Sequence, residues 1–105
     1  MAQHENDPGT DPRLLRLHPR DNVAAAKCDL AAGESVTIGG EPVELPQAVP
    51  TGHKIALMPI APGEKVLKYG APIGSATQPI HPGEYVHTHN VQSDYLPTYD
   101  RGEAK

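Results

Sequence analysis

The chain has 105 residues, 12 of them Pro and 10 Gly, so about a fifth of its positions punctuate the backbone and long helices are excluded. Leu, Ile and Val total 20 with no Phe or Trp, which predicts a thin core, while a formal charge of −4 is too modest to make the chain disordered. Lys and Arg are scattered singly, giving no stripe for nucleic acid, and no apolar run exceeds four residues, too short for a bilayer span or a signal-peptide core.

Residues 1–12 (MAQHENDPGTDP) are polar and rich in turn-forming pairs, and read as a flexible N-terminal tail. One ordered domain is expected over 13–92, followed by a C-terminal tail over 93–105 in which Tyr95, Leu96 and Tyr99 offer contacts to a partner. Strands are expected at 13–17, 22–28, 34–38, 53–58, 64–69, 72–77 and 84–91. The Ala-rich stretch from Asn22 to Ala32 has an Asn start and a Gly stop and is the one place where a helix competes; strand is preferred for its first half. Cys28 has no partner for an internal disulfide and no nearby base, so it reads as a small core residue in a reducing, cytoplasmic compartment.

An internal repeat organises the middle of the chain. Leu30–Val36, Ile60–Val66 and Ile80–Val86 share the template apolar, two small or Pro residues, Gly, polar, polar, aliphatic, and Val49–Ile55 is a looser fourth copy. Pro followed by Gly suits the two central positions of a type II turn, so each copy predicts a turn leading into a strand. Gly33 to Gly63 spans 30 residues and Gly52 to Gly83 spans 31, which predicts a pseudo-symmetric pair of β units in a compact all-β fold.

Two polar clusters stand out. In His87-Thr88-His89-Asn90, a strand would put Tyr85, His87 and His89 on one face, with the two imidazoles about 7 Å apart and able to converge on a metal ion or an anion. Solvent-exposed strand histidines are the simpler alternative. His18-Pro19-Arg20-Asp21-Asn22 packs an imidazole, a guanidinium, a carboxylate and an amide around a turn, a composition suited to holding a hydroxylated or carboxylated ligand. Its alternative is a capped turn in which Asp21 bonds its own backbone. Lys68-Tyr69-Gly70 and Pro72-Ile73-Gly74 read as strand, bend and strand, and His53 reads as a strand-start residue that is either on the surface or within reach of a shared site. No Ser-His-Asp order, P-loop or dinucleotide fingerprint is present.

Taken together, Leu15–Ala24, Gly52–Leu57, Lys68–Thr77 and Ile80–Asn90 resemble, in this order, the small N-terminal domain of the altronate/galactarate dehydratase family, a module of the SAF (antifreeze-like) type with a β-clip fold. Tyr85 departs mildly from that pattern, where a polar or basic residue is usual. The resemblance implies dehydration of a sugar acid to a 2-keto-3-deoxy acid with a divalent metal, commonly iron. It implies that His87 and His89 are metal candidates and that His18, Asp21, Asn22 and Asn90 are substrate-binding candidates. Long family members carry a large C-terminal catalytic domain, whereas this chain runs only 15 residues past Asn90. The expectation is a small subunit, inactive alone, that covers a site on a large dehydratase subunit. A stand-alone sugar-acid or carboxylate-binding module, monomeric or homo-oligomeric, and the small subunit of a sulfolactate sulfo-lyase are the alternatives.

Overall fold

Each template copy folds as a four-residue turn. The amides of Glu34, His53, Glu64 and Glu84 donate to the carbonyls of Ala31, Pro50, Ala61 and His81 at 2.9–3.1 Å, and the glycine third in each turn has φ between 85 and 89°. That is the type II geometry the Pro-Gly spacing predicts. In three copies the Glu after Gly folds back on its own turn, its carboxylate accepting from the amides of Ala31, Ala61 and His81 at 2.7–3.0 Å. The fourth copy starts at Pro50, which has no amide hydrogen to offer, and the position is released to His53.

The structure, a computed structural model, describes residues 10–93; positions 1–9 and 94–105, with Tyr95, Leu96 and Tyr99 of the expected tail, lie outside the described residues. The described residues are all-β with no helix: β1 (Leu14–Leu15), β2 (Val23–Ala26), β3 (Ser35–Ile38), β4 (Glu41–Glu44), β5 (Lys54–Ala56), β6 (Lys65–Lys68), β7 (Ala71–Ala76), β8 (Tyr85–Val86) and β9 (Val91–Gln92). Antiparallel pairing gives one sheet in the order β1-β2-β5-β8, a β3-β4 hairpin and a three-stranded β6-β7-β9 sheet. This architecture is β-clip-like, as expected for a SAF domain.

The 30-residue periodicity is a packing relation. Leu30, Val36, Leu45, Val49 and Ile55 belong to one core cluster, and Ile60, Val66, Ala76, Ile80 and Val86, 30 or 31 positions later, belong to a second. Leu30 bridges Val49 as Ile60 bridges Ile80, each pair exchanging two backbone bonds of 2.9 Å. Ala24 and Ala26 of β2 face the first cluster, and Val23 and Ala56 face the second. Two small cores on a shared sheet replace the single large core that a chain without Phe or Trp cannot build.

In the Ala-rich stretch Val23–Ala26 is strand, as preferred for its first half, because β2 is central and pairs on both edges. Other expectations need revision. Cys28, expected in the core, is exposed. β4 was not foreseen: its sequence, Glu-Pro-Val-Glu, is a poor strand former, but Gly39 and Gly40 at φ 62 and 82° make a two-residue hairpin turn that zips it onto β3. The expected strand 84–91 ends at Val86, because residues 87–90 form a turn before β9. Asp11, assigned by composition to the tail, is 5% exposed; its amide donates to the Thr37 carbonyl and its carboxylate accepts from the Thr37 amide.

Candidate functional site

The His18–Asn22 cluster holds a hairpin tip. Tyr69 and Gly70, at φ 59 and 75°, form the β6–β7 turn, and a left-handed backbone at an aromatic residue costs on the order of 1–2 kcal/mol. The wholly buried Asp21 carboxylate offsets that cost by accepting from both amides, Tyr69 at 3.0 Å and Gly70 at 2.7 Å. Asn22 serves β6 as a strand partner would, its amide donating to Lys65 O at 3.0 Å and its oxygen accepting from Leu67 N at 2.8 Å. That pairing sits where β6 and β7 slip register between Val66 and Leu67. The His18 ring covers Gly70 so closely that a Cβ there would come within 2.9 Å of it. The Asp21 carboxylate does not close its own turn but holds the backbone of the hairpin tip, where Tyr69 is left 65% exposed.

Asn90 works in the same way. Its side chain is 2% exposed, accepts from His87 N and donates to the Tyr85 carbonyl, both at 2.9 Å, and so shapes the 87–90 turn. The turn brings together what a continuous strand would only have aligned. Tyr85 stacks nearly parallel to His87, with ring centroids 5.5 Å apart, and meets His89 at 5.7 Å. From β5, His53 joins them: its Nδ1 lies 2.6 Å from the Tyr85 hydroxyl, and its ring lies 5.4 Å from that of His87. His53 and Tyr85 are half-buried and His87 and His89 exposed, so a braced phenol–imidazole pair carries two accessible imidazoles.

Lys54, next to His53, faces the other side of the sheet opposite Val86. It is half-buried, and desolvation, with the charge of Lys68 adding to it, pushes its ammonium below the ordinary lysine range. Lys68 precedes Tyr69 at the hairpin tip, its Nζ 5.1 Å from that ring centroid. Lys54 lines a pocket of about 210 Å³ with Ile73, Val86, His87, Thr88, Val91 and Ser93. Sequence reasoning had no sign of this role for Lys54 beyond its place after His53.

Among the described residues no three His, Cys, Asp or Glu side chains, His87 and His89 included, converge where a metal ion could sit. No helix of the described residues is long and apolar enough to cross a membrane.

Comparison with known proteins places these motifs. The altronate/galactarate dehydratase SAF domain family matches residues 12–94. The altronate dehydratase of Escherichia coli (strain K12) is 46% identical over 82 residues, and that of Bacillus subtilis (strain 168) 36% identical over 95 residues. These matches take in 78% and 83% of this chain but only 17% and 19% of those proteins. The (2R)-sulfolactate sulfo-lyase subunit alpha of Chromohalobacter salexigens is 46% identical over 50 residues, covering 48% of this chain and 53% of that protein. Matched over residues 12–94, most of its length, the chain belongs to the altronate/galactarate dehydratase SAF domain family.

Proposed function

We propose that this chain is the small subunit of a sugar-acid hydro-lyase, presenting the Tyr85 cluster to an active site built mainly on a large dehydratase subunit in the cytoplasm. The observation that carries the proposal is the cluster itself: a half-buried His53–Tyr85 pair bracing two accessible imidazoles, in a family named for dehydration of sugar acids. Two comparisons support the division of labour. The matched region is under a fifth of each altronate dehydratase, and another relative is by its own name a subunit alpha.

Dehydration removes the proton α to the carboxylate and expels the neighbouring hydroxyl as water. One group must take the carbon-bound proton and another must deliver a proton to the departing oxygen. Imidazole and phenol can serve in either role, and His53, by fixing the Tyr85 hydroxyl, limits the direction in which that phenol can act. The iron(II) expected for this chemistry is held mainly by the large subunit in this reading, because this chain's described residues do not complete a centre.

The purified chain alone is expected to turn over neither altronate nor galactarate. The assembly with the large protein that co-purifies with it is expected to be active, and His87→Ala with His89→Ala should lower its kcat by about 10²-fold or more at an unchanged melting temperature. Turnover by the isolated chain, or unchanged kinetics in the double variant, would sink the proposal. The sulfo-lyase relative favours a second reading in which sulfite is the leaving group, distinguished by assaying sulfite release from sulfolactate. Sugar-acid binding by a stable monomer that recruits no large subunit would mark a binding module instead.

A further inference from the structure

The catalytic reading above uses the imidazole face of β5 and β8 and leaves the opposite face unexplained. There, Lys54 stands half-buried at the wall of a pocket of about 210 Å³ floored by Ile73, Val86 and Val91 and edged by His87, Thr88 and Ser93. An ammonium partly removed from water is normally paired with a carboxylate, because desolvating a lone charge is costly. Among the described residues neither Lys54 nor Lys68 has an acidic partner; the ion pairs join Arg13 to Asp11 and to Glu34. Among the described residues no acidic side chain lines the pocket. A half-buried ammonium at the wall of a pocket, in a protein of net charge −4, is a cation poised for an anion from outside the described residues.

We propose that this pocket is a carboxylate subsite, with Lys54 the group that binds a carboxylate of a small polyhydroxy acid. Thr88 and His87 then stand beside the anion with groups able to hydrogen-bond hydroxyls, and the apolar floor accepts the carbon chain. The proposal rests on the sugar-acid reading for the kind of acid, and it adds the residue that recognises the charge.

The test uses the isotope-labelled chain and follows its backbone amide NMR signals as sodium galactarate is added into the tens of millimolar, with the neutral polyol galactitol and sodium chloride of matched ionic strength as controls. Galactarate, and neither control, is expected to shift the amides of Lys54, Val86, His87 and Thr88 in a saturable way. Lys54→Met should weaken that binding about tenfold or more, as expected for loss of a charge-assisted contact, while the rest of its spectrum overlays the parent. Lys54→Arg, which keeps the charge, should retain it. Absence of saturable shifts, shifts confined to other surfaces, or equal affinity in Lys54→Met would overturn the proposal. Its failure is separable from that of the dehydratase reading. An active assembly whose KM is untouched by Lys54→Met removes the subsite and keeps the enzyme, whereas galactarate binding at Lys54 with no active assembly does the reverse.

Discussion

Asp21 shows how a residue of a functional motif can serve a site without facing it. Its two carboxylate oxygens accept from amides 48 and 49 positions away, in a place with no exposure to water. Asp21→Ala leaves two amides without acceptors on a turn that already carries a left-handed Tyr69, and it should cost about 2–4 kcal/mol, read as a lower urea midpoint at unchanged slope. A loss within a few tenths of a kcal/mol would mean that the tip holds itself. In the sequence, His18-Pro19-Arg20-Asp21-Asn22 announces a polar cluster worth attention, and it names the right residues for the tip. It does not disclose what they hold, because an acceptor's partner is set by the register of strands that close 50 residues later. The same limit applies to His53 and Tyr85, separated by 32 positions and joined only once β5 pairs with β8.

Among the elements, those built on turns were the most legible. The repeated Gly carries a conformational requirement that any reader of the sequence can recover, and the strands after Gly33, Gly52, Gly63 and Gly83 follow from it. β4 was missed because its own propensity is poor and its pairing comes from the Gly-Gly turn before it. The strand expected at 84–91 was overextended because Asn90, placed last in a run of alternating residues, folds its side chain back to the amide of His87. Gly74 is an element-level constraint of another kind. A Cβ there would lie 2.4 Å from the Gln92 carbonyl and 2.8 Å from Val91, so β9 can lie on β7 only over a bare backbone. Gly74→Ala should separate that pair at a cost of about 1–3 kcal/mol, with the amides of Val91 and Gln92 losing hydrogen-exchange protection ahead of β5. Because Val91 also lines the Lys54 pocket, the same variant should weaken galactarate binding. Uniform protection in the variant would show that the sheet absorbs the methyl by a rigid shift.

At the scale of the molecule, the two β units are alike in their cores and unlike in the way they are fastened. The second hairpin is tied to the preceding chain by Asn22, a neutral amide, and by Asp21 at the tip. The first is tied by charge: Asp11 accepts from Thr37, while Arg13 spans the Asp11 and Glu34 carboxylates at 2.9 Å each and donates to the Ser35 carbonyl at 2.7 Å. The Arg13 side chain, hydrogen-bonded to Asp11, holds that carboxyl far below its ordinary value of 3.8, against the opposing effect of burial, and the amides of Arg13 and Thr37 add to the shift. A carboxyl depressed in the folded state takes up its proton first when the chain unfolds. Its stabilisation is therefore complete above the ordinary aspartate range and drains away as pH falls from there toward the folded value. The first unit should accordingly loosen in acid before the second. Urea midpoints measured from about pH 7 down to about pH 2 should fall more steeply in the parent than in Asp11→Asn, which starts lower at neutral pH and has less to lose. Hydrogen exchange in the acid limb should release β3 and β4 ahead of β6 and β7, whose strands are tied by the neutral Asn22 amide and whose tip alone depends on a carboxylate, that of Asp21. Parallel acid slopes in parent and variant, or simultaneous release of both hairpins, would mean that the two cores unfold as one and that the difference in their fastenings has no thermodynamic consequence.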